Sequence, residues 1–203
     1  MQVKLLTTSE HLASMEHNAA YAMLTCHANA GKLQNEKPRI FIEKAIKAGH
    51  ESILEHITLT YEVNNLSRAC LQELARHRHI SLSVESTRHT LKESLNKEDN
   101  PLYVPDGYEI TWNNEKYNPA LIMGVCLITL SGNKNISNDE LKYFIPEFFL
   151  TNLILTANIR ELRHIVKLRT SKAALLEFQA LARNLVDILP EQFKYLLEDC
   201  VNE

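Results

Sequence analysis

The chain has 203 residues, 45% of them hydrophobic and 23% charged, and a formal net charge of −3. That composition supports a packed core, and a near-neutral charge excludes an indiscriminate polyanion binder, which carries a basic excess. Four cysteines, Cys26, Cys70, Cys126 and Cys200, stand far apart without CxxC spacing. No signal-peptide pattern follows Met1, so reduced thiols in a cytoplasmic protein are expected. The longest apolar run, residues 120–130, falls short of the about 20 residues that cross a bilayer.

In chain order, residues 2–6 read as a short strand and Thr7-x-x-Glu10 as a capping box. Residues 9–28 place Leu12, Met15, Ala19, Ala22, Met23 and Cys26 at helical spacing, closed by Gly31. Pro38 opens a second helix with Ile40, Phe41, Ala45, Ile46 and Ala48 on its face, and Gly49 ends it. Residues 57–63 alternate strictly between apolar and polar, the clearest strand signal in the chain. Asn64-Asn65 reads as a turn, and residues 66–75 as a helix running directly into Arg76-His77-Arg78. Residues 96–107 read as loop, with Pro101, Pro105 and Asp106-Gly107, and residues 108–112 as a short strand.

Residues 119–130 read as a helix apolar on every side, suited to a core or a subunit interface, stopped at residues 131–133. Ser137-x-x-Glu140 is a second capping box, opening a segment through Tyr143. Pro146 starts a helix through Phe149, Leu150 and Leu153, and residues 155–159 suit a strand. Residues 160–169 read as a helix with Leu162, Ile165, Val166 and Leu168 inward. Residues 172–189 form a long amphipathic helix, and Pro190 starts a last one ending near Asp199. The expectation is an α+β fold: one mainly helical domain, residues 1–203, around a small, mostly antiparallel sheet.

The densest chemistry lies in residues 76–90. Arg76, His77, Arg78, His79, Ser81, Ser83, Ser86, Thr87, Arg88, His89 and Thr90 crowd around the alternating Ile80, Leu82 and Val84. Guanidinium forks and hydroxyls are ligands for phosphate and carboxylate oxygens. Common alternatives lack their patterns. The five glycines form neither GxGxxG nor GxxxxGK[ST]. His50 and His56 stand six apart with no HExxH, so no metal is expected. Ser86 has no GxSxG elbow, and Cys26 and His27, adjacent on a helix, do not face each other. A basic pocket without a protein nucleophile suits chemistry carried by a cofactor.

Arg76-His77-Arg78, seven residues and then Ser86, continuing as Ser86-Thr87-Arg88, resembles the RHRx7S signature of flavin-dependent thymidylate synthases. Further blocks are similar in order and spacing: Gly49-His50-Glu51-Ser52 through Glu55-His56 before a strand, Lys142 through Pro146, Asn158-Ile159-Arg160, and Leu168-Arg169. The resemblance implies reductive methylation of dUMP to dTMP: NADPH reduces FAD, methylene-tetrahydrofolate supplies the carbon, and no cysteine acts as nucleophile. Cysteine-based thymidylate synthases carry Pro-Cys-His, and no cysteine here follows a proline.

Arg169 and Ser86 are implied as the catalytic pair, Arg169 against the uracil carbonyl and Ser86 chiefly as a substrate donor. His56, Arg76, His77, Arg78, Asn158, Arg160 and His164 are implied at FAD. Glu73, Arg76, Ser83, Val84, Glu85, Ser86, Thr87, Arg88, Lys142 and Arg169 are implied at dUMP, with Arg88 and Lys142 toward its phosphate. The family's homotetramer, with FAD and dUMP shared between subunits, is likewise implied. The chain departs from the family pattern at Glu73 (Gln in some members), at Ser83-Val84-Glu85 (commonly Asn-Glu-Leu), at His89 (often Tyr), at Lys142 (often Arg) and at His164 (Asn in some). The rival reading, a single-stranded nucleic-acid module using the basic stretch, lacks the aromatic platforms and charge such modules use. A metal-dependent hydrolase built on His50, His56, His77 and His79 lacks ligand spacing.

Overall fold

A computed structural model describes residues 1–26, 33, 37–95, 102–103 and 109–202, with the side chains of Ile110 and Trp112 left aside. The expected Gly31 stop and most of the 96–107 loop lie outside the described residues. The fold is α+β, as expected. A four-stranded antiparallel sheet has the order β1-β2-β6-β3, from Gln2–Leu5 (β1), Thr58–Ser67 (β2), Leu150–Asn158 (β6) and Ile80–Val84 (β3). Helices Ser9–Thr25 (α1), Pro38–Lys47 (α2), Arg68–Leu74 (α3), Thr87–Leu95 (α4), Pro119–Ser131 (α5), Asn138–Leu141 (α6), Ile159–Arg169 (α7) and Leu176–Asp187 (α8) surround it in sequence. Ile110–Trp112 (β4) and Glu115–Tyr117 (β5) form a separate antiparallel hairpin.

The chain divides into two compact units. One comprises Val3–Val63, His77–Leu82 and Ile154–Glu203. In it, the predicted alternation of β2 buries Leu59, Tyr61 and Val63 completely, and the Tyr61 hydroxyl donates to the Leu185 carbonyl at 3.2 Å. Leu12, Ile42, Ile57, Leu162, Ile165, Val166 and Phe178 complete this core. Gly49 closes α2 at φ +72°, a left-handed conformation that costs glycine little. The second unit comprises Met1–Gln2, Asn64–Arg76 and Ser83–Leu153. Its core joins Leu91 and Leu95 of α4, Ala120 and Leu127 of α5, Leu141, Leu102 and Phe149.

Several elements differ from the sequence reading. Thr8, not Thr7, caps α1, its hydroxyl accepting from His11 N–H at 3.3 Å; Thr7 Oγ1 instead accepts from Thr60 N–H at 2.9 Å. Asn64-Asn65 does not reverse the chain. Asn65 takes φ +59°, which asparagine tolerates, its N–H donates to Asn152 Oδ1 at 3.0 Å, and β2 runs on to Ser67. Ser67 then caps α3. Of the helix expected from Pro146 through Leu153, the part from Leu150 onward is strand β6, which buries Thr151, Leu153, Leu155 and Ala157 at a period of two. Asn113 and Asn114, both at positive φ, turn the β4–β5 hairpin in the manner of a type I′ turn. The Ser137–Glu140 capping box forms as read, while the long helix expected over 172–189 is confined to α8, and residues after Pro190 form 3₁₀ turns. Leu168, expected inward, is 48% exposed.

Replacing Thr8 by Ala should lower unfolding free energy by about 1 kcal/mol, the usual worth of an N-cap. Equilibrium denaturant titration of the variant checks this; an unchanged midpoint would remove Thr8 from the cap.

Candidate active site

Helix α7 starts where β6 ends. Asn158 Oδ1 accepts from Glu161 N–H at 2.9 Å, capping the helix. The cap sets the helical phase that decides which side chains face inward. The core-facing side carries Ile159, Leu162, Ile165 and Val166, and with them the buried polar residues Glu161 and Arg163. Buried charged groups need partners. Arg163 finds them in Glu51 Oε1 at 3.0 Å, Asp199 at 2.6 and 2.7 Å and the Leu196 carbonyl at 2.9 Å. Burial works against the Arg163 charge, but the Asp199 and Glu51 carboxylates outweigh it and raise its pKa. This fork ties α7 to the C-terminal 3₁₀ turns.

Glu161 faces His77, whose ring is buried. His77 Nδ1 lies 3.2 Å from Glu161 Oε1, and Arg169 Nε–H donates to His77 Nε2 at 3.1 Å. The Arg169 guanidinium also lies over the Phe178 ring of α8, 4.6 Å from its centroid. The His164 and Phe178 rings meet the His77 ring edge-on at 5.7 and 6.1 Å. Burial and the neighbouring Arg169 charge lower the His77 pKa, against the opposite pull of Glu161 and with a further small depression from His164. His77, His164 and Arg169, read separately from the sequence, are therefore one cluster.

A cavity of about 470 Å³ is lined by Glu51, Glu55, His79, Asn158, Arg160, Glu161 and His164. Asn158, Arg160 and His164 are thus brought together, and Arg160 Nη1 is held by Glu55 Oε1 at 2.5 Å. Side-chain donors (the Asn158 amide, Arg160, the histidines) and acceptors (Glu51, Glu55) line one concave surface. That mixture fits a ligand bearing carbonyl or phosphate oxygens together with hydroxyls, as FAD does. A larger cavity of about 680 Å³ is lined by His164, Lys167, Leu168, Arg169, Ser171, Ala173, Ala174 and Asn202, combining cations with small apolar walls. His56 is exposed at the end of the Glu51–His56 3₁₀ turn and does not line the first cavity; Arg78 is exposed as well.

In the other unit, Arg76 is exposed just after α3, and Glu73 is half-buried within it. Exposed Ser83 and Val84 end β3; exposed Ser86 and buried Thr87 lead into α4. Glu85 is pinned to Asn152, its N–H donating to the Asn152 carbonyl at 2.9 Å and its carboxylate accepting from Nδ2 at 2.7 Å. Arg88 presents Nε and Nη2 to Asp139 at 2.9 and 3.1 Å, the bidentate geometry a phosphate would use. Lys142 lies in the exposed turn directly after α6, the helix that carries Asp139. Nothing in residue type or spacing marks Glu161, Phe178 or Asp139 as a site residue in the sequence, while His79 is marked only as part of the basic stretch and of the rival metal site. Glu161 carries only a helix-start signal, an acid in the first turn behind an Asn cap.

A family model described as "Thymidylate synthase complementing protein" matches residues 7–193. The chain belongs to the flavin-dependent thymidylate synthase family. It is 38% identical to the flavin-dependent thymidylate synthase of Campylobacter jejuni strain RM1221, covering 91% of this chain and 92% of that protein. It is also 38% identical to the Wolinella succinogenes enzyme, over 93% and 97% of the two chains. A crystal structure of the Helicobacter pylori flavin-dependent thymidylate synthase complexed with FAD and dUMP superposes with a TM-score of 0.78 at 32% identity, covering 100% of both chains.

The buried His77 of this thymidylate synthase family member makes a pH prediction. A histidine whose pKa is lowered on folding binds fewer protons folded than unfolded. Its contribution to stability is complete above its ordinary value of 6.5 and is lost as pH falls below it toward the folded value. The unfolding free energy should therefore drop below about pH 6.5, and a His77→Gln variant should show a shallower drop over that range in denaturant titrations.

Proposed function

We propose that this chain makes dTMP from dUMP by FAD-dependent reductive methylation, with NADPH as reductant and methylene-tetrahydrofolate as carbon donor. The observation that carries the reading is Arg169, its Nε held by His77 and its face by Phe178, within a chain of this family. A guanidinium fixed in this way is suited to a uracil carbonyl, where it stabilises negative charge as C5 becomes nucleophilic, in the manner of an oxyanion donor. Bound FAD, once reduced, supplies the hydride that completes the methyl group.

Asn158, Arg160 and His164 would hold FAD from the smaller cavity, joined by His56, Arg76 and Arg78 of the signature blocks, while His77, of the same signature, holds Arg169. Ser83 through Arg88 and Glu73 would hold dUMP, with Ser86 donating to it. Arg88 would exchange the Asp139 carboxylate for the substrate phosphate. The exchange is inexpensive, because both partners are largely exposed and such pairs contribute about 0 to 1 kcal/mol. Lys142 adds a point charge to the same end of the nucleotide.

The cysteines support a route without a thiol nucleophile. None of the four is in a disulfide, and Cys200, which lines a groove beside His164, has its pKa pushed up to about 11, chiefly by burial. A thiol this weakly acidic holds little thiolate at neutral pH. Assembly as a homotetramer is part of the proposal. Helix α5 buries Ala120, Gly124, Leu127 and Ser131, and exposes Leu121 (70%), Val125 (59%) and Ile128 (49%). A continuous exposed apolar face of this kind is what a subunit interface covers. The whole chain would work as one cytoplasmic enzyme domain; among the described residues no helix is long and apolar enough to cross a membrane.

The purified protein should be yellow, bleach with NADPH in the absence of oxygen, and form dTMP from dUMP when the folate donor is added. Arg169→Ala should lose about a hundredfold or more in kcat while flavin absorbance stays. Replacing all four cysteines by Ala should leave dTMP formation in the folded protein; its loss would restore a thiol mechanism. For assembly, Leu121→Asp with Val125→Asp should convert the tetramer to smaller species in light scattering; a tetramer unmoved by both changes would place the interface elsewhere.

A further inference from the structure

We propose that Glu161 is a positioning residue that sets the tautomer of His77 and, through that ring, the direction of the Arg169 guanidinium. The inference rests on the role given to Arg169 above.

An imidazole has two polar atoms, and both are engaged here: Nδ1 with Glu161 Oε1 at 3.2 Å and Nε2 with Arg169 Nε at 3.1 Å. Arginine Nε–H can only donate, so Nε2 must offer its lone pair. In the neutral ring the proton then sits on Nδ1 and is donated to the Glu161 carboxylate. The other tautomer would set two N–H donors head to head at Arg169 and a bare nitrogen against a carboxylate. A doubly protonated ring would repeat the first clash and add a second cation. Only one of three ring states therefore satisfies both contacts, and the carboxylate selects it. Glu161 can do so because it is itself fixed: its N–H is tied to the Asn158 cap and its side chain is nearly buried.

With Nε aimed at His77 and the guanidinium carbon lying over the Phe178 ring, rotation of Arg169 is restrained in two directions. His77 has no nitrogen left for a ligand, which gives it a different duty from the flavin contact implied by the signature. The charged and titratable groups that act on it are Glu161, His164 and Arg169, all from α7; Phe178 of α8 faces it as an uncharged ring.

The test uses the full-length protein with FAD. Nitrogen-15 spectra of the histidine rings should show His77 protonated at Nδ1 and bare at Nε2, with a hydrogen-bonded Arg169 Nε–H. Glu161→Gln keeps the size but can donate as well as accept, so the spectrum should become a mixture of tautomers and the Arg169 Nε–H signal should move. The kcat for dTMP formation should fall about tenfold to a hundredfold with FAD still bound, as a misaimed group costs. The acid limb of its pH profile should shift to lower pH, because the carboxylate that favours ring protonation is gone. In a His77→Gln background, whose carbonyl can take over acceptance from Arg169, Glu161→Gln should cause no further loss. A wild-type ring protonated at Nε2, or a tautomer unchanged by Glu161→Gln, would overturn the proposal. Failure of the wild type to form dTMP would overturn the reaction reading alone, since the spectra decide the tautomer link without turnover.

Discussion

The contact between Arg169 Nε and His77 Nε2 is the constraint on which the site depends. Two groups that are both commonly cationic lie 3.1 Å apart, and that is stable only if one of them is neutral and presents a lone pair. Burial of His77 keeps the ring uncharged, and Glu161 on its far side gives the single ring proton a place to go. The requirement extends outward. Glu161 must be at the third position of α7, so the helix must start at Ile159, so Asn158 must end β6 and act as cap. On the same helix Arg163, forked to Asp199 and held by Glu51, fixes the rotation that keeps Glu161 and Arg169 turned toward His77.

The candidate site uses its arginines in two ways. In the α7 unit, Arg163 and Arg169 are committed: desolvated or stacked, bonded several times, and aimed by neighbours. In the α4 unit, Arg88 is bidentate but exposed, paired with an exposed Asp139. The first arrangement resists movement, because leaving a buried partner strands a charge. The second exchanges one anion for another with little loss. A rigid donor suits charge that develops on a reacting ring, and an exchangeable one suits a phosphate that must arrive and leave.

Where local patterns govern, the sequence was readable. The alternation of β2, the Ser137–Glu140 box, the Pro38 start and Gly49 stop, and the inward face of α7 at Leu162, Ile165 and Val166 all depend on residues a few positions apart. The errors share a cause as well. Thr7 and Thr8 are equally good caps on paper, and the choice went to Thr8 because Thr7 serves the β2 backbone at Thr60. Asn64-Asn65 has turn chemistry, but Asn152, distant in sequence, supplies the acceptor that lets the strand continue. Leu150 and Leu153 fit a helical spacing until Thr151 proves to be the buried neighbour. Helix α4 was hidden within a stretch read for its ligands, and β5 is three polar-flanked residues that only its pairing with β4 reveals.

By itself the sequence determined the family, because the order and spacing of its Arg-His-Arg, Ser-Thr-Arg, Asn-x-Arg and Leu-Arg blocks survive without any knowledge of contacts. It also raised the expectation of chemistry borne by a cofactor, since it lacks the GxSxG and Pro-Cys-His patterns of common protein nucleophiles. Only the tertiary structure decided what the residues of those blocks do to one another. Glu161 and His77 are 84 positions apart and Arg169 and His77 are 92 apart; no periodicity reaches across such gaps. Whether a histidine is a ligand or a link depends on burial and on which atoms meet its two nitrogens, and both are properties of packing.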